Sequence, residues 1–481
     1  MGGLFGIVSH TDCVSDLFYG TDYHSHMGTK RGGMAVLNGL GIKRYIHDIS
    51  QSPFRSKFQP DLNKLNGTMG IGVISDTDDQ PLIIRSHLGT YAIVTVGKIN
   101  NLSELAENAF RKGTSHFSEM SGGEINPTEL VATLINNGKN YERGILRAQE
   151  LIEGSCSLLL LTNKGVYVAR DKHGRTPLTI GEKLNYQVPV GQKTLIDPPK
   201  SRVVTMETST FPNLDYHKVR HLGPGEIVLI HKNGIDLIKP PNHNNHICAF
   251  FWVYYGYPAS SYEGINVEQV RYKCGAALAK NDDIKPDIVA GIPDSGTAHG
   301  IGYANESNLF YGRPFVKYTP TWPRSFMPQD QEIRDEVARM KLIPIKELIQ
   351  GKSLLFCEDS IVRGTQLKET IKSLYDRGAK EVHMRVACPP LIFECKYLNF
   401  SRSKSELELA ARRAIQKISG ENTKDLREFL NPESHKYKQM VEIIRKEFIL
   451  TSLKYQKMGD LVEAIGLPKD QLCTYCWDGV E

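Results

Sequence analysis

SLLFCEDSIVRGTQLKET, residues 353–370, decides the reading of this chain. A short apolar run, of the kind that fills a buried strand, hands two acids, Glu358 and Asp359, to its carboxyl end. A turn follows, Ser360, Ile361, Val362, Arg363, Gly364 and Thr365, and a helical pattern opens behind it. Backbone N–H groups in such a turn, with a helix N-terminus at their back, form a site for a phosphate monoester. Ser360, Gly364 and Thr365 are small or hydroxylated and let the backbone approach the phosphate. The acids beside it sit where open α/β sheets take their ligands, outside the carboxyl ends of the strands, and can accept from sugar hydroxyls. An acidic turn that merely caps a helix does not account for the whole order of strand, acid pair, serine, Arg-Gly-Thr and helix.

Working outward, GIPDSGT at residues 291–297 has the same form, strand then turn then helix, and its Asp294, Ser295, Gly296 and Thr297 suit a pyrophosphate. Ser295, with Glu358 and Asp359, is also placed for a Mg²⁺ that keeps several waters and bridges substrate oxygens. Between the two loops lies RSFMPQDQEIRDEVARMKL, residues 324–342, whose Arg339 and Lys341 suit a flap closing over a leaving pyrophosphate; a solvated helix face is the plainer reading. Strands and helices alternate through this region, from INVEQVRYKCGAALAKN to EVHMRVAC, which implies a parallel sheet with crossover helices. Upstream the pattern is short strands and Gly, Asn and Asp turns, as in TMGIGVIS and SCSLLLLTNKGVYVARD. KPPNHNNH at 239–246 reads as a linker, which gives units of 1–238, 247–400 and a charged helical extension of 401–481.

At 481 residues, 40% hydrophobic and 23% charged, the composition is that of a globular protein of two or three domains. A net charge of +5 without a basic block argues against nucleic acid, and no run approaches the roughly 20 apolar residues of a membrane span. The absence of a secretory leader and the sparse cysteines point to the cytoplasm. Most cysteines read as small buried residues, but LCTYCW, with Cys473 and Cys476 in CxxC spacing, is a metal or redox signal that needs partners.

The loops together resemble the amidophosphoribosyltransferases, glutamine-dependent enzymes acting on 5-phosphoribosyl 1-pyrophosphate (PRPP) at the first step of purine synthesis. EDSIVRGT and GIPDS match that family's DDSIVRGT and GxPDS, and RSFMPQDQEIRDEVARMKL keeps much of its R-T-F-x-x-P-x-Q-x-x-R-x-x-x-V-R-x-K-L loop. The resemblance implies an αββα N-terminal-nucleophile (Ntn) glutaminase-like domain, then a type I phosphoribosyltransferase domain and C-terminal helices. It further implies PRPP and ammonia as substrates, Mg²⁺, nucleotide feedback inhibitors, and a homo-oligomer, dimer or tetramer. One subgroup carries a [4Fe–4S] cluster, and the contexts of Cys248, Cys395, Cys473 and Cys476 match its four ligands. By chemistry alone four thiolates suit zinc or an iron–sulfur cluster; the resemblance decides for the cluster, with Cys388 the nearest wrong candidate.

MGGLFGIVSH at the start then acquires a meaning. The family begins C-G-[IV]-x-G, the cysteine being the nucleophile and its α-amino group the base. Gly2 stands at the nucleophile position, where no thioester can form. The family's H-R-G-Q-E corresponds to HMGTK (26–30), its GIGHxRYAT to GIGVISDTD (70–78), its HNG to TVG (95–97) and its S-D-T-E to NPTE (126–129). The glutamine-handling residues are lost, while the scaffold segment RDKHGRTPL (170–178) matches the family's RDxxGxRPL closely. The expectation is a glutaminase fold without glutaminase activity, fed by free ammonia or by a separate glutaminase. A non-catalytic PRPP-binding regulator, or transfer to another acceptor, is the alternative.

Overall fold

Strand Gly2–Ser9 is the middle strand of a seven-stranded sheet in the computed structural model, which describes residues 2–111, 117, 120–121, 124–184, 199–318, 342–398, 406–420, 423 and 425–480. Its neighbours are Met69–Ser75 on one side and Ser201–Thr205 on the other, both antiparallel. Side chains along it alternate between two cores, as the period of a strand requires. Leu4 and Val8 face a second, six-stranded sheet and meet Val94, Leu159 and Val166. Phe5 and Ile7 face outward onto helix Val14–Asp22 through Leu17 and Phe18.

Strand Gly154–Thr162 of the second sheet works the same way. Leu159 and Leu161 point to the inter-sheet core, while Leu158 and Leu160 pack on helices Pro127–Asn136 and Tyr141–Leu151. Because both faces are covered, SCSLLLL reads as a continuous apolar run rather than an alternating one. The result is the expected sandwich of helices, two antiparallel sheets and helices.

The second half is built on four parallel strands in the order Ile288–Gly291, Ser353–Glu358, Glu381–Val386 and Ser452–Tyr455. The last of these is a correction to the helical reading of 401–481. SLKY is too short to show a period, and its place is set by partners far away in sequence. Lys454 reaches Asp282 at 3.0 Å, and Asp282 also pairs with the fully buried Arg385 and accepts from the Tyr303 hydroxyl at 2.8 Å. Burial works against the Asp282 carboxylate, yet these donors hold it down at about 2. Among the described residues no helix is long and apolar enough to cross a membrane.

Candidate active site

Strand Ser353–Glu358 is buried at every position and ends with Glu358 and Asp359, both buried, at the carboxyl edge of the parallel sheet. Its neighbour Ile288–Gly291 runs parallel with Gly291 opposite Cys357, so the two predicted loops emerge side by side. They are tied together: the Ile292 N–H donates to the Cys357 carbonyl at 2.9 Å, and Ser295 Oγ donates to Glu358 Oε1 at 3.4 Å. The approach leaves no room for side chains. A Cβ on Gly296 would lie 2.2 Å from the Cys357 carbonyl oxygen, which explains the glycine in PDSG. Helix Thr297–Ser307 starts directly behind. Asp294 is exposed and pairs with Lys317.

Burial, with Asp359 alongside, pushes the Glu358 carboxyl well above the ordinary carboxylate range. The Ser360 hydroxyl donates to Asp359 Oδ1 at 2.5 Å. Beyond it Ile361 is buried, Val362 is half-buried and Arg363 is exposed, paired with Glu408. Gly364 has φ of +76°, and a Cβ there would fall 2.0 Å from the Phe448 ring. Helix Thr365–Asp376 then begins and turns its first N–H groups, which have no intrahelical acceptor, toward the loop. The loop's carbonyls are taken up by the C-terminal region: Val362 O accepts from the Ala410 N–H and Arg363 O from Arg413 Nη2, each at 2.8 Å. Nothing in the sequence around Phe448 or Arg413 signals these roles, because they act across 50 residues or more. Arg339 and Lys341, with the flap segment, lie outside the described residues.

The N-terminal strand tells a different story. A Cβ on Gly2 would lie 2.4 Å from the Ile74 carbonyl oxygen and 3.2 Å from Val96, and one on Gly3 would meet the His24 ring at 2.5 Å. Met27 and Val96 are buried in the inter-sheet core. Ser75, paired with Gly2 across the sheet, accepts from the Thr77 and Asp78 N–H groups and closes a turn. Thr95 and Thr128 bond each other at 2.6 Å, and Asn126 caps helix Pro127–Asn136. The Ser75, Thr95, Thr128 and Asn126 side chains are all hydrogen-bonded within this region. The segment 170–178 is an anchored loop: buried Arg170 donates to the carbonyls of Thr176 and Gly174 and pairs with Glu263 at 2.8 Å.

A glutamine amidotransferase domain model matches residues 68–191. Over 495 residues the chain is 30% identical to the amidophosphoribosyltransferase of Methanothermobacter thermautotrophicus, covering 99% of this chain and 93% of the relative. The chain belongs to the amidophosphoribosyltransferase family. The Bacillus subtilis amidophosphoribosyltransferase is 28% identical over 444 residues, covering 90% of this chain and 88% of that one. Among solved structures, the B. subtilis glutamine PRPP amidotransferase complexed with ADP and GMP superposes with a TM-score of 0.82 at 26% identity, covering 99% and 96% of the two chains. The two-unit amidophosphoribosyltransferase architecture is thus the fold of this protein.

The four cysteines singled out in the sequence come together in this amidophosphoribosyltransferase fold. Cys248 and Cys473 sit opposite each other on a short parallel pair, and Cys248, Cys395, Cys473 and Cys476 line one cavity. Cys388 is buried elsewhere and does not line it. Burial pushes the Cys248 thiol well up, and the neighbouring Cys395, followed by burial, does the same to Cys476. Among the described residues no group of three or more His, Cys, Asp or Glu side chains is placed to hold a single ion. The sequence reading missed Arg175, which lines the same cavity with its guanidinium over the Tyr397 ring at 3.6 Å.

Proposed function

We propose that this protein transfers the phosphoribosyl group of PRPP to ammonia, giving 5-phosphoribosylamine and pyrophosphate, while its glutaminase-like unit serves as scaffold. The observation that carries this is the pair of loops, 292–296 and 359–364, held side by side at the carboxyl edge of the parallel sheet. The turn from Ser360 to Thr365 anchors the 5′-phosphate through backbone N–H groups. Glu358 and Asp359 hold the ribose hydroxyls, and Asp294 to Thr297 cradle the pyrophosphate. The ammonia nitrogen forms its bond to C1 as the C1–O bond breaks; pyrophosphate leaves with that electron pair, and the surplus proton passes to solvent. Positioning and charge carry the rate, and Arg339 and Lys341 are assigned to the leaving group from the sequence.

Two buried carboxyls side by side, one of them pushed up by burial and then by the other, form an environment that a divalent cation relieves. Ser295, Glu358 and Asp359 are therefore the residues that would hold Mg²⁺, which when bound offsets charge on the pyrophosphate oxygens. The all-thiolate set of Cys248, Cys395, Cys473 and Cys476 fits a soft metal centre. Four thiolates suit zinc or an iron–sulfur cluster alike, and the match of the four cysteine contexts to the cluster-bearing subgroup favours [4Fe–4S]. The cluster's role is structural, pinning 248, 395 and the C-terminal CxxC together.

The closed surroundings of Gly2, against the Ile74 carbonyl and the Val96 side chain, support the loss of glutamine chemistry. Ammonia then comes from solution or from a separate glutaminase. A relative binds ADP and GMP, and we take nucleotide feedback to extend to this chain. The test is to supply PRPP and Mg²⁺ with glutamine or ammonium as sole nitrogen source. Glutamate release from glutamine contradicts the scaffold role; product from ammonium alone supports it.

A further inference from the structure

We propose that Arg175 is the charge partner of the four-cysteine centre and raises the reduction potential of the cluster. The inference rests on the cluster reading above and concerns what this chain's own residue does to it. Arg175 is 6% exposed and lines the cavity together with all four cysteines. Its carbonyl accepts from the Cys248 N–H at 3.2 Å, so its main chain fixes one ligand. Its guanidinium lies over the Tyr397 ring, donates through Nη1 to the Gly154 carbonyl at 3.3 Å, and leaves Nε buried without a partner.

A buried guanidinium is costly unless negative charge faces it. Among the described residues its side chain meets the Gly154 carbonyl, the Tyr397 ring and the cysteine-lined cavity, none of them a carboxylate. The compensating charge is the thiolate shell: four thiolates around a doubly positive core carry a net double negative charge, and one more on one-electron reduction. A fixed cation favours the more negative state and so raises the potential. In the motif RDxxGxRPL the arginine falls where Thr176 stands here, and Arg175 occupies a site the motif leaves open. Thr176 instead bonds Ser157 at 2.5 Å and turns away into the sandwich.

The experiment uses full-length protein purified anaerobically, with iron counted and the cluster titrated with dithionite under spectroscopic detection. Arg175→Gln is expected to lower the reduced-to-oxidised ratio at fixed potential at least tenfold, or 59 mV for a one-electron couple. Arg175→Lys, which keeps the charge, is expected to recover most of that shift. Loss of iron in Arg175→Gln but not in Arg175→Lys also supports the charge role. An iron-replete Arg175→Gln protein with an unchanged potential overturns it, as does equal loss of iron in both variants. Wild-type protein without iron overturns the cluster reading itself, before any variant is compared.

Discussion

Putting the nucleophile back by Gly2→Cys is the sharpest perturbation of the N-terminal unit. A Cβ at that position lies 2.4 Å from the Ile74 carbonyl oxygen and 3.2 Å from Val96, so the strand or its neighbour must shift by about 1 Å to reach ordinary contact. Overpacking of this kind costs about 1–3 kcal/mol. Taking the middle of that range, a unit of this size is expected to lose about 4–8 °C from its melting midpoint. The new thiol is expected to gain no activity, because Ile74 and Val96 crowd the position and Ser75 and Asn126 are committed to a turn and a helix cap. Circular dichroism melts and a glutamate-release assay on the same preparation give both readings. Glutamine hydrolysis by Gly2→Cys at an unchanged midpoint would refute the steric argument and the scaffold role together.

Gly364→Ala places a methyl 2.0 Å from the Phe448 ring and forces alanine to φ of +76°. It is expected to weaken PRPP binding at least tenfold by calorimetry, while the N-terminal unit melts unchanged. Glu358 has its folded pKa raised by burial and by Asp359. Its contribution is therefore fully present below about pH 4.3, the unfolded value, and is lost as pH rises through the folded one. Glu358→Gln is thus expected to stabilise the ligand-free protein at pH 8 relative to pH 5 in thermal melts, and to abolish turnover. Arg170→Met removes the donors to Thr176, Gly174 and Glu263 and is expected to cost about 3–5 kcal/mol in urea unfolding.

The parts legible in the sequence are those whose cause is local. Ser353–Glu358 and its turn announce themselves because a strand buried on both faces must be apolar throughout and a phosphate turn must be small. Partners brought by the fold alone leave no such trace. Phe448 over Gly364, Arg413 on the Arg363 carbonyl and Lys454 on Asp282 are ordinary surface-type or core residues in their own segments. The strand Ser452–Tyr455 has four residues, too few to distinguish its period from that of the helices around it. The four cysteines were found by their contexts, but Arg175 sits in a scaffold motif and is seen only once the chain has folded onto Tyr397. The absent nucleophile was plain at Gly2; the carbonyl of Ile74 that closes its place was not.

The central claim is tested most directly by pyrophosphate release from PRPP in saturating ammonium and Mg²⁺, on anaerobically purified protein. Release in step with phosphoribosylamine is the predicted result. Tight, Mg²⁺-dependent PRPP binding with no pyrophosphate released would contradict it and leave a binding protein in place of the transferase.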